Sequence, residues 1–180
     1  ALTPVPDEVP SDRAVLAGTV ETCINALWDA APRIGDRVAV VGAGMVGGVL
    51  ATLLRTFPLD RLQLVDVNPA RSTLAAALGV ELVHPDDAAD DNDLVLHCSA
   101  TEAGLARSLQ LLGDEAELIE LSWYGTAQPR ASAGPECICS LAVPIPVISP
   151  TILEEIARRD REIALPVNDI NTRTAIGQAD

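Results

Sequence analysis

The sequence predicts an α/β fold, a doubly wound parallel sheet, on three observations. A short apolar run, Val38 to Val41, ends in Gly42-x-Gly44-x-x-Gly47, and an apolar segment of helical length, Met45 to Thr56, follows without a proline. A second apolar run, Leu62 to Val65, ends in Asp66, 24 positions after Gly42. Strand-like and helix-like stretches then keep alternating up to Gly125 at the spacing of βαβ units.

The glycine-bearing stretch carries the chemistry. Gly42 suits a turn conformation that a Cβ opposes, Gly44 lets a backbone come close to a ligand, and Gly47 lets the new helix lie against the strand. The start of that helix, Met45 and Val46, offers N–H groups and a partial positive charge to a pyrophosphate. By itself such a turn also fits a purely structural strand-turn-helix. An acid where Asp66 stands, at the end of the next strand, is where an adenosine ribose is met, and it favours a dinucleotide site.

Composition narrows the function classes. The 180 residues are 48% hydrophobic, enough for one folded domain or a domain with an appendage. All 12 basic residues are Arg, so Schiff-base lysine chemistry and a P-loop lysine are excluded. A net charge of -14 argues against nucleic acid and anionic membrane as partners, whose affinity rests on basic patches. It leaves a bound nucleotide open, since turn amides hold phosphates locally. Cys23, Cys98, Cys137 and Cys139 lie in or beside apolar runs without paired C-x-x-C spacing. They read as buried free thiols in a reducing, cytoplasmic setting, and no metal site is expected of them. No secretory signal opens the chain, and the longest uncharged run, Val38 to Leu54, is short for a membrane span.

In chain order, residues 1–10 hold three prolines and read as an extended entry. Ser11, as N-cap, opens a helical stretch to Ala31 that is expected to break near Gly18. The turn Ala31 to Asp36 leads into the glycine-bearing strand. After Asp66 and Val67, Asn68-Pro69-Ala70-Arg71 starts a helix to Leu78, closed by Gly79, and Glu81 to Val83 is a third strand. Pro85 to Asp93, with five Asp, reads as a solvated loop rather than a metal site. Leu94 to Cys98 is a fourth strand, a helix from Ser99-Ala100-Thr101 to Leu112 follows, and Glu117 to Ser122 is a fifth strand. Ligands of doubly wound sheets sit outside the carboxyl ends of the strands. Those ends, Gly42 to Gly44, Asp66, Cys98 to Thr101 and Ser122 to Gly125, therefore share one crevice. His97 closes the fourth strand and reads as a core or cleft-edge histidine rather than a catalyst. From Thr126 to Pro150 the chain holds five prolines. Its apolar run Ile138 to Ile148 suits an edge strand or an extended arm. A charged amphipathic helix, Thr151 to Ala164, and a polar end, Leu165 to Asp180, are expected after it.

These residues resemble the cofactor-binding domain of the medium-chain dehydrogenases/reductases, the family of zinc-type alcohol, sorbitol and threonine dehydrogenases. The resemblance covers about residues 2–125. It rests on Leu16-Ala17-Gly18-Thr19-Val20-Glu21-Thr22 with Asn25-Ala26-Leu27, on Ile34-Gly35-Asp36-Arg37-Val38, and on the glycine motif with Asp66. It implies a Rossmann-type sheet carrying NAD, with NADP less favoured; residues 126–180, which it does not cover, read from their prolines and polar end as an irregular C-terminal extension. It also implies a cofactor set of Thr22 beside the nicotinamide, Gly42, Gly44, Met45, Val46 and Gly47 at the pyrophosphate, and Asp66 with Val67 at the ribose. Arg71, Cys98, Ser99 and Ala100 fall toward the adenosine side. The family's catalytic zinc belongs to a domain that precedes this one, so zinc is expected only there, and the substrate is left open. Pairing of two copies through a sheet edge is a further expectation.

Two functional classes compete on these grounds: the NAD-binding domain of an alcohol dehydrogenase-like oxidoreductase, and a stand-alone NAD-binding or regulatory module without catalysis. A flavin or S-adenosylmethionine binder on a similar sheet fits Thr22 and its spacing less well.

Overall fold

The computed structural model describes residues 4–124 and the backbone of 138–141. After an extended entry, α1 (Ser11–Ala14) and α2 (Ala17–Ala30) lead to β1 (Arg37–Val41) and α3 (Met45–Leu54). Then follow β2 (Arg61–Val65), a 3-10 turn (Pro69–Arg71) running into α4 (Ser72–Leu78), β3 (Glu81–Val83), β4 (Asn92–His97), α5 (Glu102–Gln110), β5 (Leu112–Glu120) and β6 (Ile138–Leu141). The six strands form one parallel sheet in the order β3-β2-β1-β4-β5-β6. The fold class read from the sequence is therefore borne out.

Alternation along β1 shows how the layers form. Val38 and Val40 face one core with α2, α3 and Ala75 of α4, while Ala39 and Val41 face the other with Leu105 and Leu109 of α5. Successive residues of a strand point to opposite faces, so a strand covered on both sides is apolar throughout. Residues 38–41 are all buried, and so is nearly every residue of α3, which lies between the sheet and α2. The order reverses between β1 and β4, and that switch point opens the crevice.

Three boundaries differ from the sequence reading. The helical break falls at Val15–Leu16, not near Gly18, which sits exposed in the first turn of α2 with open space where a Cβ would be. Leu16 N–H donates to Arg13 O at 3.0 Å, so a tighter i to i−3 turn joins the two helices. The cap position of α1 is Pro10, and Ser11 is already helical. α5 stops at Gln110, and β5 begins at Leu112, five residues before the apolar run, because a register shift sets Asn92 opposite Leu112 but Leu94 opposite Glu117. Glu115, at φ 57, lies inside that bulge.

The acidic stretch has a structural use at the amino ends of the strands. Asp93 accepts from Arg37 N–H at 2.8 Å and, at 2.9 and 2.8 Å, from its guanidinium, which also pairs with Asp91. This holds the Asp93 carboxyl down at about 2 and raises the Arg37 guanidinium. Among the described residues no group of three or more His, Cys, Asp and Glu could hold a metal. No described helix is long and apolar enough to cross a membrane. β6 joins the sheet beside β5, in keeping with an edge strand in the Ile138 to Ile148 run. The expected helix 151–164, the polar end and Cys137 lie outside the described residues.

Candidate functional site

A cleft of about 470 Å³ opens at the carboxyl ends of β1, β2 and β4. Seven of the residues expected at a cofactor line it: Gly42, Gly44, Asp66, Val67, Arg71, Cys98 and Ser99. Pro85, Asp86, Thr101, Ala103, Gly104 and Arg107 complete its far wall. Met45, Val46, Gly47, Ala100 and Thr22 are not in the lining. The Thr22 hydroxyl donates to Gly18 O of its own helix at 3.0 Å. Its neighbours Thr19 and Cys23 meet the start of α3, at Met45 Sδ and Val46 O, both at 3.6 Å. Ala100 takes a left-handed conformation, φ 54, and its N–H donates to Ser122 Oγ at 3.1 Å.

The three glycines of the motif have different reasons to be glycine. Gly42 has φ 110, and a Cβ there would lie 2.8 Å from Ser99 N and Cα, so the turn and the neighbouring strand both require its absence. A Cβ on Gly47 would overlap the carbonyl oxygen of Gly42, which fixes the close approach of helix to strand. Gly44 is unlike either. Its φ of −84 and ψ of −161 suit any residue, and among the described residues no atom beyond its chain neighbours lies within 4 Å of where its Cβ would be. The fold does not need that glycine; an object entering the cleft would. Immediately after it, α3 begins with no side-chain cap, and its first-turn amides have no acceptor within the helix.

Asp66 ties the site together. Its carboxylate accepts Ala43 N–H at 2.7 Å and Asn68 N–H at 2.8 Å, one on each oxygen. Both oxygens keep a free acceptor direction. Cys98 lies beneath the turn with its thiol donating to Val41 O and Gly42 O, both at 3.3 Å. Burial, with the charges of Glu120 and Asp66, pushes that thiol up to about 12, so it is not a thiolate nucleophile at neutral pH.

Behind Ser99 lies a polar cluster that the sequence reading did not assemble. His97 is fully buried at the end of β4, and its sheet neighbour on β5 is Glu120. His97 Nδ1 stands 2.8 and 3.0 Å from the Glu120 oxygens, and Nε2 stands 2.7 Å from Ser99 Oγ. Glu120 also accepts Ser122 N–H at 2.7 Å and Tyr124 O–H at 3.1 Å. Burial works to raise the Glu120 carboxyl, but the hydrogen bonds from His97 and Ser122 act against it and hold it below the ordinary range. The Tyr124 phenol is pushed up to about 12 by burial and by Glu120. A signal existed in the sequence: His97-x-Ser99 and Glu120-x-Ser122-x-Tyr124 close adjacent strands with a spacing of two, which sets each group on one face.

Comparisons with known proteins agree with this fold. The chain is 32% identical over 116 residues to alcohol dehydrogenase 1 of Petunia hybrida, covering 63% of this chain and 30% of that one. The resemblance to the medium-chain dehydrogenases/reductases stands. Two solved structures share the fold. An alcohol dehydrogenase zinc-binding domain protein from Burkholderia ambifaria superposes with a TM-score of 0.77 at 19% identity, over 92% of this chain and 50% of that one. A zinc-binding dehydrogenase from Sinorhizobium meliloti, bound to NADP, superposes with a TM-score of 0.74 at 16% identity, over 92% and 53%. This chain thus spans about a third of its Petunia relative and about half of each solved dehydrogenase. Residues 95–179 also match the family described as homocysteine biosynthesis enzyme, sulfur-incorporation, a span that lies mostly beyond residue 124.

Proposed function

We propose that residues 1–125, with β6 added to their sheet, are the NAD-binding domain of an alcohol dehydrogenase-like oxidoreductase. The observation that carries this reading is Gly44 in the cleft lining, a glycine that neither its backbone angles nor any neighbouring atom of the described residues requires. Space kept clear where an uncapped helix N-terminus begins suits a pyrophosphate. Val67 supports it: an apolar side chain 70% exposed on the cleft wall offers a face to an adenosine.

In this reading the free acceptor directions of Asp66 receive the ribose hydroxyls, and its two backbone bonds keep the carboxylate from turning away. A 2′-phosphate would then meet like charge at close range, so NAD is preferred over NADP even with Arg71 in the same cleft. The first-turn amides of α3, Met45 to Gly47, bind the pyrophosphate, and Thr22 on the neighbouring helix borders the nicotinamide. When bound, the nicotinamide supplies hydride transfer to or from an alcohol carbon. This chain's part is to hold and orient it, while the substrate pocket and any zinc belong to a preceding domain of the dehydrogenase.

Titration calorimetry of the 180-residue chain with NAD and NADP tests the reading. Binding of NAD, at least tenfold tighter than NADP, is the expected result. No binding of either would remove it.

A further inference from the structure

We infer that His97 and Glu120 lock the Ser99 hydroxyl as a hydrogen-bond acceptor toward the cleft, so that Ser99 selects ligand groups that donate, an exocyclic amine or a ribose hydroxyl, over phosphate oxygens. The inference rests on the nucleotide reading of the cleft and adds which part of the nucleotide this wall accepts.

The argument follows the protons. An ionised Glu120 can only accept, and every group around it points a donor inward: Ser122 N–H, Tyr124 O–H and the Nδ1 edge of His97. With a single ring proton, His97 holds it on Nδ1 against the carboxylate and leaves Nε2 as an acceptor, the state that long-range ¹H–¹⁵N spectra must show. The group at 2.7 Å from Nε2 is the Ser99 hydroxyl, which must donate to it. With its one proton turned inward, Ser99 keeps two lone pairs. One meets Thr101 Oγ1 at 3.0 Å, and Thr101 in turn accepts Gly104 N–H at 3.0 Å to cap α5. The other remains for the cleft that Ser99 lines. Gly104 is what makes room for this arrangement. A Cβ there would overlap Ser99 Oγ and stand 2.9 Å from His97 Nε2. Holding a buried imidazole and a carboxylate behind one serine is costly unless each partner is satisfied, and here each is. A hydroxyl with a fixed proton discriminates ligands in a way that a freely rotating one does not.

The test uses the full 180-residue chain and four nucleotides: ADP, IDP, 2′-deoxy-ADP and 3′-deoxy-ADP. IDP replaces the amine by a carbonyl, and the deoxy forms each lack one hydroxyl. The unmodified chain is expected to bind ADP about tenfold tighter than at least one of the other three, since an acceptor left unpaired costs about that much. Ser99→Ala is expected to bring the ADP/IDP ratio to near one, or to lower an ADP/deoxy ratio about tenfold to what Asp66 alone maintains. Collapse of the ADP/IDP ratio identifies the amine as the donor, and collapse of an ADP/deoxy ratio identifies the hydroxyl. His97→Asn keeps a donor facing Glu120 but removes the Nε2 acceptor, and it should shrink the same ratio with less loss of ADP affinity than Ser99→Ala. Long-range ¹H–¹⁵N spectra of the free protein should show His97 as the Nδ1–H tautomer, a readout that no ligand enters. ADP binding with ratios untouched by Ser99→Ala, an Nε2–H tautomer, or a ring protonated on both nitrogens overturns the inference and leaves the nucleotide reading in place. Failure of all four nucleotides to bind overturns both.

Discussion

The Asp66 carboxylate accepts the Ala43 backbone N–H at 2.7 Å, so the acid that closes β2 and the glycine turn that closes β1 form one rigid unit. Loosening the acid therefore also loosens the turn. Asp66→Ser should weaken NAD and narrow the NAD/NADP ratio about tenfold or more, because a charge-assisted bond contributes roughly 1.5–3 kcal/mol. Calorimetry with both dinucleotides reads the ratio, and an unchanged ratio would detach this carboxylate from the ribose.

Gly44→Val should leave the fold intact and abolish dinucleotide binding. The backbone there suits any residue and, among the described residues, the Cβ position is open, so the added side chain is aimed at a ligand rather than at the fold. Circular dichroism and calorimetry together check this, and retained affinity would make the turn structural.

Gly47→Ala, three residues on, should do the reverse. Its Cβ would overlap Gly42 O, a backbone atom that cannot move without separating α3 from β1. A loss of at least about 2 kcal/mol in urea unfolding is expected, before any question of ligand arises.

Gly104→Ala and Ser99→Ala should be strongly non-additive. The added Cβ overlaps Ser99 Oγ, so removing that oxygen gives back part of the space, although Thr101 Oγ1 still lies 2.8 Å away. A coupling of about 1 kcal/mol in a double-mutant cycle is expected, and additive effects would show that the hydroxyl does not occupy this position.

The Arg37 pair makes stability depend on pH. The Asp93 carboxyl, normally near 3.8, is held down at about 2 in the folded chain. A depressed carboxyl contributes stability that is present above its unfolded value and lost as pH falls toward the folded one. The loss should fall between about pH 4 and pH 2, and Asp93→Asn should flatten the urea midpoint over that window. With both side chains about a third exposed, the effect is modest.

The sequence made the sheet legible because β1, β2 and β4 are apolar runs that end in chemically distinctive residues, Gly42, Asp66 and the His97 to Ser99 stretch. The strand ends Gly42, Asp66 and Ser99 do share one cleft, as the alternation of elements implied, whereas Ser122 to Tyr124, expected there too, are not in its lining. What stayed hidden depends on register. Nothing local to His97 announces Glu120 as its partner, since their pairing follows from a bulge in β5 that sets Glu117 rather than a nearer residue against Leu94. The break at Val15–Leu16 was missed for a related reason: a glycine attracts the eye, yet Gly18 at an exposed first turn costs the helix little. Arg107 was also overlooked. Its donors to Pro85 O at 2.8 Å and Ala88 O at 3.2 Å pin the acidic loop to the cleft wall, and an arginine in an amphipathic helix gives no hint of that.

The position of β1 between β2 and β4 has a consequence on the ribosome. The strand that covers one edge of β1 follows within about twenty residues, but the one that covers the other, starting at Asn92, is made about fifty residues later. At roughly 5–20 residues per second, the most apolar strand of the sheet keeps one bare edge for about 3–10 s of each synthesis. A nascent chain halted before Asn92 is expected to be held by a strand-capturing chaperone that the finished chain no longer engages.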